Sequence, residues 1–119
     1  MRIILVNPKK RVTIKEITEE YFDTKVYNNE GIQDPNIVGF MRYGINKDSG
    51  EFYQIFVHPD HRKEGIGTLL IEELIAITKK NKKNKIIVHT GTDETDIFGA
   101  FITRKGFKNL GNKWWELLI

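Results

Sequence analysis

The sequence contains no cysteine, which excludes disulfide bonds, a thiol nucleophile and thiolate metal sites. The same absence fits a reducing cytoplasm, where we expect the protein to be. Long hydrophobic runs are missing as well. The opening segment MRIILVNPKKR has four consecutive apolar residues, too few for the core of a signal peptide. The longest apolar stretch, IGTLLIEELIAI, is interrupted by Glu72 and Glu73, so it predicts a helix of a globular domain and no membrane span.

A large excess of charge of one sign is also lacking. The chain has 19 Lys and Arg against 16 Asp and Glu, a net charge of +3. This mild excess is compatible with an acidic ligand but gives no argument for nucleic acid. With 119 residues, 39% of them hydrophobic, the chain has the size and composition of one compact domain, which we predict to span residues 1–119.

Hydrophobic patterns in the first half of the chain predict a strand, a helix and a hairpin. The segment RIILV is typical of a short buried strand. Thr13 to Glu16 matches a capping box, in which two side chains satisfy amides at a helix start, so we expect a helix near 13–22. The segments IVGFMRYGI and EFYQIFV are apolar and aromatic, and the turn residues NKDSG between them indicate an antiparallel hairpin.

The second half predicts two helices and three strands. Apolar residues recur at helical spacing after Gly65 (Ile66, Leu69, Leu70, Leu74 and Ile77). A strand, KIIVHT, precedes a second helix that ends at Gly106, and the last residues form a hairpin turning at Gly111. The order predicts an α/β (α+β) fold, a mixed and mainly antiparallel twisted sheet of about six or seven strands with helices on both faces.

The segment HPDHRKEGIGTLL, from His58 to Leu70, joins a predicted strand to a predicted helix. The first turn of a helix has unpaired N–H groups and partial positive charge. Glycine at positions 65 and 67 lets a phosphate approach that backbone without a Cβ in the way. Arg62 and Lys63 add positive charge beside it. The segment therefore predicts a site for a phosphate or diphosphate, although two glycines alone also suit a structural turn.

Two familiar phosphate-binding patterns do not fit this segment. The P-loop spacing G-x-x-x-x-G-K-[ST] is absent. A Rossmann fingerprint needs a third small residue where the chain has Leu70, and a parallel βαβ unit where the pattern predicts an antiparallel hairpin.

The residues from Val57 to Leu70 instead resemble the acetyl-CoA-binding signature of the GNAT (GCN5-related) N-acetyltransferases, with its Arg-x-x-Gly-x-Gly core. Phe101 to Phe107 is similar to that family's late motif ending in Gly-Phe. The resemblance covers residues 37–119 and is vague before them, where one helix-forming stretch stands against the family's usual two. It implies an acyl-CoA N-acyltransferase-like fold with a shortened N-terminal helical region, and direct acetyl transfer from acetyl-CoA to a primary amine, with no metal.

The resemblance also implies a set of cofactor-binding residues. The amides of the loop would hold the diphosphate of coenzyme A (Arg62, Lys63, Glu64, Gly65, Ile66, Gly67 and Thr68). The backbone of Ile55, Phe56 and Val57 would pair with the pantetheine arm, which fills a gap between two splayed strands. An amide near Phe56 or Val57 would polarise the thioester carbonyl. Thr95 and Arg104 are further cofactor-binding candidates, and Thr95 is equally suited to a helix N-cap.

Catalysis by this route needs a base, because an alkylammonium has a pKa of about 10.4 and is mostly protonated at pH 7. Glu51 is the first candidate, with Tyr53 on the same face of the strand if that strand is unbulged. His89 is the second candidate. The family's usual general acid, a tyrosine, would fall at Ile102, so Tyr53, a water or an unaided thiolate has to serve instead.

The acceptor stays open between a protein or peptide amine, a polyamine and a small amine. Because Ile102 stands where the family has a tyrosine, a second interpretation is open: the protein is a catalytically weak or inactive acyl-CoA-binding regulatory module. A third, nucleic-acid binding by the lysine run KKNKKNK, is less favoured because no aromatic residues interleave it. We expect acetyl-CoA and an amine as partners, no membrane, and a monomer or homodimer.

Overall fold

The computed structural model describes residues 2–6, 12–16, 19–28, 30–90 and 96–119. Seven strands form the main sheet: β1 (Arg2–Val6), β2 (Val12–Glu16), β5 (Gly39–Ile45), β6 (Gly50–Val57), β7 (Lys85–His89), β8 (Lys108–Gly111) and β9 (Trp114–Leu118). Two short strands, β3 (Tyr27–Asn28) and β4 (Gly31–Ile32), pair separately. The helices are α1 (Glu19–Tyr21), continued by a π-helical turn Phe22–Val26, α2 (Ile66–Lys80) and α3 (Asp96–Arg104).

The strand order across the main sheet is β2-β1-β5-β6-β7-β9-β8. Every neighbouring pair is antiparallel except β6 and β7, which run parallel. A parallel pair needs a long crossover, and α2 supplies it. The predicted mixed, mainly antiparallel sheet of about six or seven strands is therefore confirmed.

The helix predicted near 13–22 is wrong. Val12–Glu16 is strand β2, which pairs along its whole length with β1, and Glu19–Tyr21 is the first helix among the described residues. Thr13 and Glu16 have capping-box spacing, but Val12 to Ile14 is a β-branched run that fits a pleated sheet better than a helix. The pairing of these residues with β1 therefore decides their conformation, against the local capping-box pattern.

Two hydrophobic clusters lie on opposite faces of the sheet. Phe40 and Met41 are neighbours on β5, so their side chains point to opposite faces. Met41 belongs to the larger cluster, to which α2 and α3 contribute, whereas Phe40 packs with Phe22 and Val26 of the helical turn after α1. The prediction of helices on both faces is confirmed, with the larger core under α2.

Helix α2 begins and α3 ends at glycines in the left-handed region. Gly65, the N-cap of α2, has φ of 79°, and Gly106 has φ of 95°. The amides of Gly106 and Phe107 donate to the carbonyls of Thr103 and Ile102 at 3.0 Å each, the two bonds of a Schellman motif. Among the residues described, no helix has the length and apolarity needed to cross a membrane.

The predicted closing hairpin is confirmed, formed by β8 and β9. Asn112 and Lys113, between the strands, both have positive φ, as a type I′ turn requires. Successive residues on β9 face opposite sides, so Trp115 packs against the larger core while Trp114 stays 42% exposed. One of the two tryptophans therefore belongs to the core.

Gly50 marks the place where α2 lies closest to the sheet. A Cβ at this position would overlap Oγ1 of Thr78 and lie 3.1 Å from its Cγ2. Thr78 is fully buried, and its hydroxyl donates to the carbonyl of Leu74 at 2.7 Å, so the side chain has no free direction in which to turn. Only glycine lets β6 start directly beneath α2.

We predict that Gly50→Ala lowers the free energy of unfolding by about 1–3 kcal/mol, the usual cost of overpacking a core. The control is Gly99→Ala in α3, where the nearest atom to a new Cβ is Trp115 Cζ2 at 3.9 Å. In the control, the free energy of unfolding should rise by up to about 1 kcal/mol, because Ala has a higher helix propensity than Gly. Urea unfolding measures both, and an unchanged midpoint for Gly50→Ala would contradict the close packing of α2 on β6.

Candidate active site

Strands β6 and β7 separate soon after they meet. Their parallel pairing is limited to Gly50 with Ile86 and Glu51 with Ile87, although β6 continues to Val57. Within the described residues, nothing pairs with the β7 side of β6 beyond Glu51 along the sheet. A gap therefore opens between two neighbouring strands in the middle of the sheet, along the part of β6 that follows Glu51.

The backbone groups that face this gap follow from the β5–β6 ladder. The amide of His58 donates to the carbonyl of Val38 at 2.7 Å, so His58 hydrogen-bonds towards β5. Polar groups alternate along a strand, so Phe56, opposite Phe40, also points towards β5, and Ile55 and Val57 point towards the gap. Of the three backbones predicted to bind the pantetheine arm, two thus face the gap and that of Phe56 is directed to the β5 ladder.

The loop after β6 is held by side-chain contacts. His58 caps a 3₁₀ turn, Pro59–His61, by accepting the amide of Asp60 at its Nδ1, 3.1 Å away. Nδ1 of His61 lies 3.0 Å from Oε2 of Glu64. His58 thus acts as a capping group, and these contacts hold the loop between β6 and α2.

The backbone turns sharply on either side of Glu64. Lys63 has φ of 67° and Gly65 has φ of 79°, two left-handed positions one residue apart. Left-handed residues next to right-handed ones turn successive N–H groups to one side of the chain, the arrangement that binds anions in proteins. The left-handed positions of Lys63 and Gly65 are of the kind that such an arrangement uses.

The amides of this segment are not used elsewhere. Within the described part of the chain, no carbonyl or side chain accepts a hydrogen bond from the amides of Lys63 to Thr68, and the first bond of α2 runs from Leu69 to the carbonyl of Gly65 at 3.0 Å. Unused N–H groups at the positive end of a 15-residue helix attract an anion. Arg62, exposed, donates its Nε to the carbonyl of Val57 at 3.2 Å, so its charge lies at the mouth of the gap.

The two glycines of the loop are needed for different reasons. Gly65 requires glycine for its left-handed backbone, and a Cβ there would meet nothing within 4 Å, so the space beside it is open. At Gly67 a Cβ would lie 3.1 Å from Cζ of Phe101, so this glycine lets α3 pack against the first turn of α2. Ile66, between them, is buried in the larger core.

Lys105 reaches the same turn and was not among the predicted residues. Its Nζ donates to Oγ1 of Thr68 at 2.5 Å, whereas the predicted Arg104 is exposed with no recorded contact to the loop among the described residues. The sequence carries no signal that separates the two cations, because Arg104 and Lys105 are three and four residues after Phe101 and both spacings place a side chain near it.

Glu51 and Tyr53 form a hydrogen-bonded pair at the start of the gap. The hydroxyl of Tyr53 donates to Oε1 of Glu51 at 2.6 Å. The expectation of an unbulged strand is wrong: Tyr43 pairs with Phe52 and Arg42 with Gln54, so Tyr53 is the extra residue of a β-bulge. The bulge leaves Tyr53 64% exposed and still within reach of the carboxylate.

The pair changes the acidity of the tyrosine. The hydrogen bond to Glu51, with smaller contributions from burial and from the carboxylate's charge, raises the pKa of Tyr53 from 10.0 to about 12. Tyr53 therefore keeps its proton throughout the range in which proteins work, and that proton is directed at the Glu51 carboxylate.

The remaining candidates lie around this centre. His89, exposed at the end of β7, has its ring 4.8 Å from that of Trp114, at an angle of 67°. Ile102 is fully buried in the larger core. Thr95 lies outside the described residues. The described residues contain no group of three or more metal-ligating side chains that could hold a metal ion.

Comparison with known proteins gives one family. The family model described as the acetyltransferase (GNAT) family matches residues 8–107. No curated protein matches the chain.

Solved structures show the same fold. The PaiA N-acetyltransferase from Thermoplasma acidophilum, in complex with coenzyme A, is 20% identical with a TM-score of 0.63, over 74% of this chain and 57% of its own. An acetyltransferase of the GNAT family from Staphylococcus aureus is 19% identical with a TM-score of 0.60, over 87% and 80%. The ribosomal-protein-S18-alanine N-acetyltransferase from Escherichia coli is 19% identical with a TM-score of 0.58, over 73% and 64%.

The chain thus spans less than two thirds of the PaiA and Escherichia coli structures, 57% and 64% of their lengths. The family match, in contrast, covers most of this chain and includes both the gap between β6 and β7 and the loop at its mouth. The chain belongs to the GNAT family of acetyltransferases.

Proposed function

We propose that this protein is an N-acetyltransferase that moves the acetyl group of acetyl-CoA directly to a primary amine. The observation that carries the proposal is a gap between β6 and β7 that opens onto a row of unbonded amides at the start of α2. A long ligand with a diphosphate in its middle fits both features at once. The coenzyme A bound to the Thermoplasma relative supports this choice of ligand.

The residues around the gap match the chemistry of coenzyme A. The loop amides from Lys63 to Thr68, with the charges of Arg62 and Lys63, would hold the diphosphate. Outward-facing backbone groups of Ile55 and Val57 would pair with the amides of the pantetheine arm, as an added strand does. Because Arg62 already occupies the carbonyl of Val57, the free Val57 amide is the donor suited to the thioester oxygen.

Acetyl-CoA supplies an acetyl group activated as a thioester, so the protein has to deliver an unprotonated amine. Glu51 stands where β6 and β7 part and is half-buried. Its carboxylate would take a proton from the ammonium, directly or through water, before the nitrogen attacks. The new C–N bond replaces the C–S bond, whose electron pair leaves with the thiolate. The nitrogen loses its second proton to solvent, and the thiolate takes a proton from water.

Tyr53 acts on Glu51 in this scheme. A phenol with a pKa of about 12, bonded to a carboxylate, is a poor proton donor to a departing thiolate. It is well suited to hold one carboxylate oxygen in place while the other faces the amine. We therefore assign Tyr53 as a positioning residue for the base, and the leaving thiolate, with a thiol pKa of about 8.5, departs without a dedicated acid.

A second candidate function has one observation in its favour. Ile102, at the position of the family's usual tyrosine, is fully buried in the larger core and has no polar group to offer. This suits a module that binds acyl-CoA and transfers slowly or not at all. The acceptor of an active enzyme remains a choice among protein or peptide amines, polyamines and small amines, and the amine panel described below separates the two functions.

Cofactor binding is tested by a pair of matched substitutions. Acetyl-CoA at 100 times its dissociation constant should add about 2.7 kcal/mol to the stability of the unchanged protein. Gly65→Asp should abolish this gain, because its carboxylate enters the diphosphate site. Gly111→Asp is the control, since Gly111 also has positive φ and nothing within 4 Å of a new Cβ, but lies in the closing hairpin. Thermal unfolding with ligand measures both, and a full gain in Gly65→Asp would refute the loop as the site.

The role of Glu51 is tested by thiol release from acetyl-CoA with a panel of peptide amines, polyamines and small amines. Glu51→Gln should lower kcat/KM about 10²- to 10⁴-fold at pH 7, and the deficit should shrink as the pH rises towards the amine pKa of about 10.4. Glu72→Gln, on the exposed face of α2, should match the unchanged protein. Full activity in Glu51→Gln would show that another group is the base. Acetyl-CoA binding without thiol release in the presence of any amine of the panel would favour the second candidate function.

The Glu51–Tyr53 pair is tested by titrating the phenol. Glu51→Gln replaces the carboxylate that accepts the phenol's hydrogen bond with a weaker, neutral acceptor and removes its negative charge, so the pKa of Tyr53 should fall from about 12 towards 10.0. Ultraviolet absorbance of phenolate reports it, with the matching Tyr53→Phe protein subtracted in each background. The raised pKa also means that the pair's contribution to stability is present below pH 10 and is lost as the pH rises through 12. Identical titration curves in both backgrounds would contradict the pairing.

A further inference from the structure

Lys105 places a positive charge at the first turn of α2 from a separate element. It follows the last residue of α3, and its Nζ donates to Oγ1 of Thr68 at 2.5 Å. The same ammonium lies 5.7 Å from the centroid of the Phe101 ring. The stem of the side chain is half-buried between the two helices. The charge is thus held at a defined place beside the unbonded amides of the loop.

This position is unfavourable for a cation in the protein alone. The N-terminal end of a helix carries partial positive charge, and lysines are stabilised at the opposite end. Within the part of the chain that the structure describes, no carboxylate lies within ion-pair distance of Lys105. The hydrogen bond to Thr68 and the ring of Phe101 hold the ammonium in place, but neither carries a negative charge to offset its repulsion from the helix end, whereas an anion beside the first turn would.

The local structure keeps Lys105 from turning away. Its amide donates to the carbonyls of Phe101 and Ile102 at 3.2 and 3.1 Å, and Gly106 then reverses the chain. Phe101 in turn fills the space that a side chain on Gly67 would occupy. Gly67 therefore has a part in the placement of the charge, because it lets α3 approach the first turn of α2.

We infer that Lys105 is a binding residue for the diphosphate of coenzyme A, with Thr68 as its positioning partner. This inference rests on the proposed function. The diphosphate is chosen over the 3′-phosphate because the ammonium lies at Thr68, inside the row of unbonded amides. Lys105 would supply a charge-assisted bond to an oxygen that the amides also bind, so one anion neutralises both the helix end and the lysine.

The test compares dissociation constants for coenzyme A and dephospho-coenzyme A by calorimetry. Lys105→Met keeps the apolar stem and should weaken both ligands by the same factor, about 10- to 100-fold. Lys105→Arg should retain most of the affinity. Lys80→Met is the matched control, since it removes the same charge at the far end of α2, about 18 Å from Thr68 and beyond a Debye length. The Lys80→Met protein should bind both ligands with the affinity of the unchanged protein.

Further measurements separate binding from a structural role. Without ligand, Lys105→Met should melt at the same temperature as the unchanged protein or higher, because a repelled charge is gone. Thr68→Val should weaken binding by itself and add little when combined with Lys105→Met, because both changes disturb one contact. A lower melting temperature with unchanged affinity would make Lys105 structural and overturn the inference.

The two proposals fail in different ways. If the unchanged protein binds neither ligand, the proposed function itself is refuted. If it binds coenzyme A and Lys105→Met binds equally well, only the role of Lys105 is refuted. If Lys105→Met loses affinity for coenzyme A but not for dephospho-coenzyme A, Lys105 contacts the 3′-phosphate, and the assignment to the diphosphate is overturned.

Discussion

The early separation of β6 from β7 is the constraint from which the rest of the site follows. Two neighbouring parallel strands would ordinarily satisfy each other's backbone groups along their length, yet here pairing stops after Glu51 and Ile87. Gly50 allows it to start, because α2 lies so close to the sheet there that no side chain fits. The bulge at Tyr53 follows, and beyond it no described residue pairs with the β7 side of β6. In the proposed function, this side of the strand would supply donors and acceptors to the ligand in place of a partner strand.

Two kinds of unsatisfied backbone therefore meet at the end of β6. The strand offers isolated groups at alternate residues, suited to the amides of an extended chain, and the helix offers a cluster of N–H groups, suited to an anion. The loop contacts of His58 and His61 fix the angle between the two. A ligand that satisfies both must be long, extended and anionic at one end, and this requirement narrows the choice of ligand before any side chain is considered.

Sequence patterns predicted the elements whose cause is local. The periodicity of α2 and the turn residues before β6 each act within a few residues, and the helix and the hairpin that they predict are confirmed. The helix predicted to start at Thr13 is absent there because pairing with β1 outweighs the local capping pattern. The bulge at Tyr53 depends on register with β5, which no single segment encodes. Lys105 differs from Arg104 by about 100° around the helix axis, so only the packing of α3 on α2 decides which of the two cations reaches the loop.

The second motif contributes to this site by packing and by charge. On the last turn of α3, Phe101 seats the helix against Gly67, Ile102 fills the core and Lys105 delivers a cation to Thr68. A tyrosine at position 102 would have had to give up that core contact to reach a leaving thiolate. With no acid there, the proposed reaction depends more heavily on a correctly held carboxylate and on firm anchoring of the nucleotide. In that proposal the hydrogen bond from Tyr53 to Glu51 would meet the first need, and the charge on Lys105 would meet the second.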